Sequence, residues 1–257
     1  MAGYGDFAYY YDRLTENVDY EGRCDYINSL LAENGISKGI LLDMACGTGT
    51  FSLLFAKKGF EIVGVDASQD MLSVAQQKKI EAGIDAVFLC QKLQEMDLFG
   101  TVDAAICTLD SLNHITNEAD LCEAIRRTAL FMNDGGVFVF DVNTPYKHKE
   151  ILADNTFVYD LDDVYCVWQN SFDEKNCMTN VSLDIFERDD EDEEADVYYR
   201  YSEEFSERGY ELEKIKAWLE EFRFEIVDVF EEMTRNPVNE KTQRAVFVCK
   251  KHGTQFI

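Results

Sequence analysis

The chain has 257 residues, 46% of them hydrophobic, enough for one large domain or a domain carrying an insertion. Fifty acidic residues against 24 basic ones give a formal charge of −26 and a pI near 4.3, which repels polyphosphate backbones and anionic membranes and argues against nucleic acid or a membrane as partner. No apolar run is long enough to span a bilayer, the first residues lack the basic flank and apolar centre of an export leader, and the eight cysteines contain no Cys-x-x-Cys pair. A cytoplasmic protein with reduced thiols and no metal site is therefore expected.

The first 38 residues carry helical spacing, with Ile27, Leu30, Leu31 and Ile36 at core-like positions. They begin with an aromatic cluster, Tyr4, Phe7, Tyr9, Tyr10, Tyr11 and Tyr20, set around Asp12 and Arg13. Aromatics at this density form either a packed lid or core edge, or one wall of a ligand pocket with phenol hydroxyls available. Next comes the stretch from Gly39 to Phe51. An apolar run ends at Asp43, the small-residue turn Ala45-Cys46-Gly47-Thr48-Gly49 follows, and helical spacing starts at Phe51. Glycines in such a turn let the backbone approach a ligand, and the helix start adds unpaired N–H groups.

That helix is expected to end at Gly59, and a buried strand over 60–65 stops at Asp66. A helix capped by Ser68 runs to Gly83, followed by strands over 86–90 and 101–108, a loop over 110–115, a helix over about 118–132 and a fifth strand over 137–142. Five strands alternating with four helices define a doubly wound α/β sheet. From Phe157 to Tyr201 the period drops to about two, which predicts antiparallel strands joined by polar turns, among them the acidic run from Glu187 to Asp196. Helical spacing returns at Leu212, Ile215, Trp218 and Leu219, and two strands close the chain. The expected architecture is a seven-stranded, mostly parallel sheet. Residues 1–145 and 209–257 form its core and 146–208 a β-rich insertion after the fifth strand.

Two cofactor classes compete for a glycine turn followed, 19 positions past Gly47, by a strand-end acid. A dinucleotide needs Gly-x-Gly-x-x-Gly; here only Ala45, Gly47 and Gly49 are offered, and Asp43 would repel a pyrophosphate. An acid there suits a cofactor bearing an α-ammonium and a sulfonium, so S-adenosylmethionine fits better than a nicotinamide dinucleotide.

Asp43 to Gly49, Val63-Gly64-Val65-Asp66-Ala67-Ser68 with Met71-Leu72, and Asp110-Ser111-Leu112-Asn113-His114 resemble successive motifs of class I S-adenosylmethionine-dependent methyltransferases. The branch resembled has an N-terminal Tyr-Asp segment, here Tyr11-Asp12, and a β-insertion after the fifth strand; it includes amino-sugar N-methyltransferases. The resemblance implies that Asp43 and the turn of Ala45, Cys46, Gly47 and Gly49 line the methionine and ribose region. Asp66 would hold the ribose hydroxyls, Met71 or Ala67 would flank adenine, and Cys107 and Thr108 would lie beneath the sulfonium. The family often has Gln-Asp-Met after the third strand, where this chain has Gln91-Lys92-Leu93. Lysine cannot accept from the adenine amino group, so that task falls to backbone groups of Lys92 and Leu93 or to another side chain. His114 is the candidate general base and Tyr11 a candidate for orienting donor or acceptor, while Asp110, Asn113 and Tyr210 are candidate substrate contacts. The resemblance implies methyl transfer to a small neutral or cationic acceptor, an amine before a hydroxyl. A cofactor-holding protein without turnover and an NAD-dependent oxidoreductase are the competing readings.

Overall fold

The computed structural model describes residues 7–161, 164–188 and 197–253. Tyr4, the side chains of Phe7, Tyr9 and Tyr10, and residues 189–196 of the acidic run lie outside the described residues. The chain opens with helices α1 (Phe7–Leu14) and α2 (Tyr20–Glu33) and continues through β1 (Gly39–Met44), α3 (Thr50–Lys57), β2 (Phe60–Asp66), α4 (Gln69–Ala82), β3 (Ala86–Cys90) and β4 (Val102–Cys107). Then come α5 (Glu118–Phe131) and β5 (Met132–Asn143). Helix α4 starts as its sequence suggests: the Ser68 hydroxyl accepts from the Met71 N–H at 3.2 Å, and Gly83 ends it in the left-handed region at φ 62°. The sequence pattern and the structure differ between β3 and β4. Only a short 3-10 turn, Leu93–Glu95, connects them where alternation would place a full helix.

Four strands follow a π-helical turn at Lys147–Leu152: β6 (Thr156–Asp160), β7 (Val164–Asp173), β8 (Met178–Arg188) and β9 (Tyr198–Arg208). They form one antiparallel sheet in sequence order. Helix α6 (Leu212–Glu221) and strands β10 (Phe224–Glu231) and β11 (Arg244–Lys251) return to the main sheet, whose order is β10-β11-β5-β4-β1-β2-β3. Strand β11 pairs antiparallel with β5 and β10, and the other neighbours pair parallel. Apolar clusters cover both faces, as a parallel sheet requires. One joins α5 and α6 to the sheet through Leu121, Ile125, Ile215 and Leu219; the other seats α2 and α3 through Ile27, Leu31, Phe51 and Phe55. In a third, Val164, Cys166, Val181, Leu183 and Ile185 of the antiparallel sheet pack on Ala8, Met71, Tyr11 and Leu14. The antiparallel sheet and α1 therefore pack together, against the start of α4. No helix among the described residues is long and apolar enough to cross a membrane.

Candidate active site

Strands β1 and β4 are parallel neighbours, but the chain leaves them in opposite directions across the sheet, toward β2 and toward β5. A sheet whose order reverses in this way leaves a crevice at the carboxyl ends of its strands. A cleft of about 670 Å³ opens there, with Tyr11, Ala45, Gly47, Asp66, Ala67, Met71, Lys92, Leu93 and His114 in its walls. Nine of the residues singled out in the sequence thus meet in one cavity.

The turn after β1 is built from left-handed backbone: Ala45 at φ 54°, Gly47 at 53° and Gly49 at 76°. For Ala45 this conformation costs about 1–2 kcal/mol. Hydrogen bonds hold it, from the Cys46 N–H to the Val65 carbonyl at 3.0 Å and from the Gly49 N–H to the Cys46 carbonyl at 2.9 Å. The Asp66 carboxylate completes the frame, accepting the Gly47 N–H on one oxygen and the Ser68 N–H on the other, both at 2.8 Å. Backbone N–H groups of Ser68, Gly47 and Ala67 all favour its charged form, and the carboxylate keeps acceptor capacity for a ligand hydroxyl. Nothing lies within 4 Å of where a Cβ on Gly47 would stand, whereas one on Gly49 would come within 3.0 Å of the Ala75 Cβ. Gly47 offers open space to a ligand and Gly49 lets α3 and α4 approach. These residues fit an adenosine carrying an amino-acid arm.

Other sequence candidates stand behind this wall. Asp43 is 2% exposed and accepts from the Ser52 hydroxyl at 2.6 Å; burial pushes its carboxyl up to about 7. It supports the turn from beneath and does not line the cleft, because β1 carries its side chain inward against α3. Cys46 and Cys107 are buried as well, and burial pushes both thiols well above their ordinary range. Thr108 lines a separate narrow crevice with Arg23, Tyr26 and Asp141.

The loop after β4 is strained in a definite place. Leu109 and Asp110 are consecutive left-handed residues, at φ 56° and 55°, each costing on the order of 1–3 kcal/mol. Asp141 of β5 holds them, accepting the Leu109 N–H at 2.9 Å and the Asp110 N–H at 2.7 Å. Asp110 is itself taken: Asn143 donates to it and Arg244 lies at 3.2 Å. Burial works to raise its carboxyl, but Arg244 and then Lys147 outweigh it and hold it below the usual range. These contacts engage the Asp110 carboxylate within the protein.

Asn113 is likewise engaged within the protein. It is fully buried, its amide donates to the carbonyls of Asn143 at 3.0 Å and Arg208 at 2.7 Å, and its oxygen accepts the Asn143 N–H at 2.9 Å. It staples the loop to β5 and β9, leaving little capacity for a substrate. Tyr210, 2% exposed, donates to the Ile115 carbonyl and packs edge-on against Trp218, so it belongs to the core and not to the cleft wall.

His114 does face the cleft. Its ring lies on Phe205 at 5.0 Å, and burial lowers its basicity against the opposing pull of Asp110 and Asp66, so the imidazole is neutral near pH 7. Tyr11 shares a hydrogen bond with Tyr20, and burial raises its phenol well above the ordinary value. Asp12 fastens α1 to the turn, accepting the Thr48 hydroxyl at 2.6 Å and the Lys78 ammonium at 2.8 Å. Lys92 directs its ammonium to Glu95 at 3.4 Å. Leu93 opens the 3-10 turn, which leaves its N–H outside that turn's own bonds.

A methyltransferase domain family matches residues 41–136. The putative methyltransferase YqeM of Bacillus subtilis (strain 168) is 30% identical over 254 residues, covering 98% of each chain. A crystal structure of an S-adenosylmethionine-dependent methyltransferase from Clostridium acetobutylicum ATCC 824 matches with a TM-score of 0.87 at 32% identity, over 97% of this chain and 99% of that one. The chain belongs to the class I S-adenosylmethionine-dependent methyltransferases. A glycine/sarcosine N-methyltransferase of Parasynechococcus marenigrum (strain WH8102) is 31% identical over 144 residues, 53% of this chain and 49% of that one.

Several residues of this methyltransferase escaped the sequence reading. Asp141 carried a signal, an acid within the otherwise apolar run from Val137 to Val142. Glu207 carried a fainter one: it shares strand parity with Tyr201 and Phe205, which turn inward. Arg244, 11% exposed between Asp110, Asp141 and Glu232, gave none, because nothing local marks a strand's first residue as the counter-ion of a distant loop.

Proposed function

We propose that this methyltransferase acts on an amine of a small molecule that enters the cleft neutral or as an ammonium. The observation that carries the reading is the company His114 keeps. Asp66, Asp70, Asp120 and Glu204 share its cleft, with Lys92 as the opposing cation, and the imidazole itself is neutral. Such a wall favours a cationic acceptor over an anionic one. The partial likeness to a glycine/sarcosine N-methyltransferase supports an amine as the accepting group.

S-Adenosylmethionine supplies an activated methyl on a sulfonium, and this chain's residues do the rest. Ala45, Gly47 and Asp66 hold the amino-acid arm and ribose, Ala67 and Met71 flank adenine, and backbone groups of Lys92 and Leu93 meet its amino edge. Tyr11, on the lid of α1, and residues 146–208 as a substrate wall exclude water and fix the acceptor in line. His114 removes a proton from an acceptor that arrives charged.

Calorimetry with S-adenosylmethionine, followed by assay of S-adenosylhomocysteine formation across amines and matched hydroxyl compounds, tests this reading. Turnover confined to amines is expected. Tight cofactor binding without turnover on any acceptor would replace it with that of a cofactor-holding protein. His114→Phe should lower turnover at saturating cofactor, and full activity across the pH range would retire His114 as base.

A further inference from the structure

Glu207 sits on the inward face of β9, opposite Thr179 of β8, and is 3% exposed. Its Oε1 stands 3.8 Å from His114 Nε2, and Asn143 donates to its Oε2 at 3.5 Å. The charged groups around it come from three other elements: Asp110 in the loop after β4, Lys147 in the π-helical turn and Arg244 on β11. The two cations have other partners close by. Arg244 pairs with Asp110 at 3.2 Å, and Lys147 donates to Asn143 Oδ1 at 2.9 Å. His114 is pinned by the same strand, its ring on Phe205. With Nε2 turned to Glu207, Nδ1 is the ring nitrogen left to the cleft.

We propose that Glu207 is the positioning residue of His114, and that its protonation state selects the tautomer His114 presents to an acceptor. A protonated Glu207 donates to Nε2, which leaves the ring proton on Nδ1, so the cleft meets a hydrogen-bond donor. An ionised Glu207 accepts from the Nε2–H, and Nδ1 then faces the cleft as a base. In that state Nδ1 takes a proton from an ammonium acceptor: one acceptor N–H bond breaks, one Nδ1–H bond forms, and the electron pair stays on the acceptor nitrogen. The imidazolium is then stabilised by the carboxylate behind it. The pair closes from 3.8 Å to a hydrogen-bond length of about 2.8 Å as the site fills. Burial first, and the Asp110 charge second, push Glu207 up to about 8, while burial keeps His114 neutral, so the tautomer changes on the alkaline side of neutrality.

This inference rests on His114 being the base, and its test reads the ring instead of turnover. The full chain, isotope-labelled and saturated with S-adenosylhomocysteine, is followed by imidazole nitrogen NMR from about pH 6 to about pH 10. The chain has 3 histidines, so the His114→Asn spectrum assigns the signal. The expected result is a change from the Nδ1–H to the Nε2–H pattern with a midpoint near 8, absent in Glu207→Gln. A single tautomer throughout, or a step that survives in Glu207→Gln, overturns the proposal. If Glu207→Gln fails to bind S-adenosylhomocysteine, Glu207→Asp is read instead: a displaced midpoint supports the proposal and an unmoved one overturns it. Full activity of His114→Phe would defeat the base assignment while leaving the tautomer step in place, so the two failures are distinguishable.

Discussion

The carboxylates around and behind the cleft are held by different means on the two sides of the sheet's carboxyl end. On the cofactor side, Asp66 is framed by backbone N–H groups from its own neighbourhood, and Asp43 has the Ser52 hydroxyl. On the side of β4, β5 and β11, Asp110, Asp141 and Glu232 gather around one guanidinium, Arg244, brought from the far end of the chain. Asp43 and Asp110 are both enclosed, yet their carboxyls move in opposite directions, upward for Asp43 and downward for Asp110. Burial raises both, and only Asp110 has a cation close enough to reverse it.

The strongest way to break this contrast is to remove the cation. Arg244→Met leaves three carboxylates facing one another and should lower unfolding stability by about 3–5 kcal/mol, measured by urea denaturation at neutral pH. A loss below about 1 kcal/mol would mean that water, not Arg244, compensates the cluster.

The pH dependence sharpens the same contrast. Asp43 rises from an ordinary value of 3.8 to about 7 on folding, so the native state binds its proton more tightly. Its contribution is fully present below about pH 4 and is lost as pH rises toward 7, at up to about 1.4 kcal/mol per pH unit. Asp110 works the other way, its contribution being lost as pH falls. Asp43→Asn should therefore gain stability relative to the parent between those limits in urea titrations. Parallel curves would show that Asp43 ionises in the native state as freely as in the unfolded one.

The same division decides what the sequence made legible. The strands from Gly39 to Val142, the caps at Ser68 and Gly83 and the period-two strands of the insertion are local patterns, and each became the element its spacing implied, whereas the helix that alternation implies between β3 and β4 is a short 3-10 turn. One wall of the cleft was legible for the same reason, since Ala45, Gly47, Asp66 and Met71 fall within 27 residues of one another. The surroundings of Asn113 and Tyr210 were not legible, because a motif shows where a residue lies along the chain, not which way its side chain turns. Glu207 is separated from Asn143 by 64 residues and Arg244 from Asn143 by 101, and only the folded register joins them.

A smaller effect is expected on the cofactor side. Asp66→Ala removes the acceptor for two turn N–H groups and, on the proposed reading, for ribose, and should weaken S-adenosylmethionine binding by about 1–3 kcal/mol in calorimetry. Unchanged affinity would sink the ribose assignment. A drop in melting temperature without the cofactor would separate turn collapse from lost ligand contact.

Lys92 should matter least, although the sequence marks it as a departure from its family. Its ammonium pairs with Glu95 three residues on, where both side chains are well exposed, and such pairs contribute about 0–1 kcal/mol. Its side chain is thus engaged by the turn's own Glu95, while the chain at Lys92 and Leu93 lines the cleft. Lys92→Ala keeps that backbone and should change cofactor affinity by less than about 0.5 kcal/mol. Lys92→Asp restores the side-chain acceptor of the family pattern and sets up repulsion with Glu95. A gain of tenfold or about 1.4 kcal/mol in the aspartate variant alone would show that adenine recognition here lacks a side-chain acceptor. Equal affinity in all three would show that backbone groups already supply it.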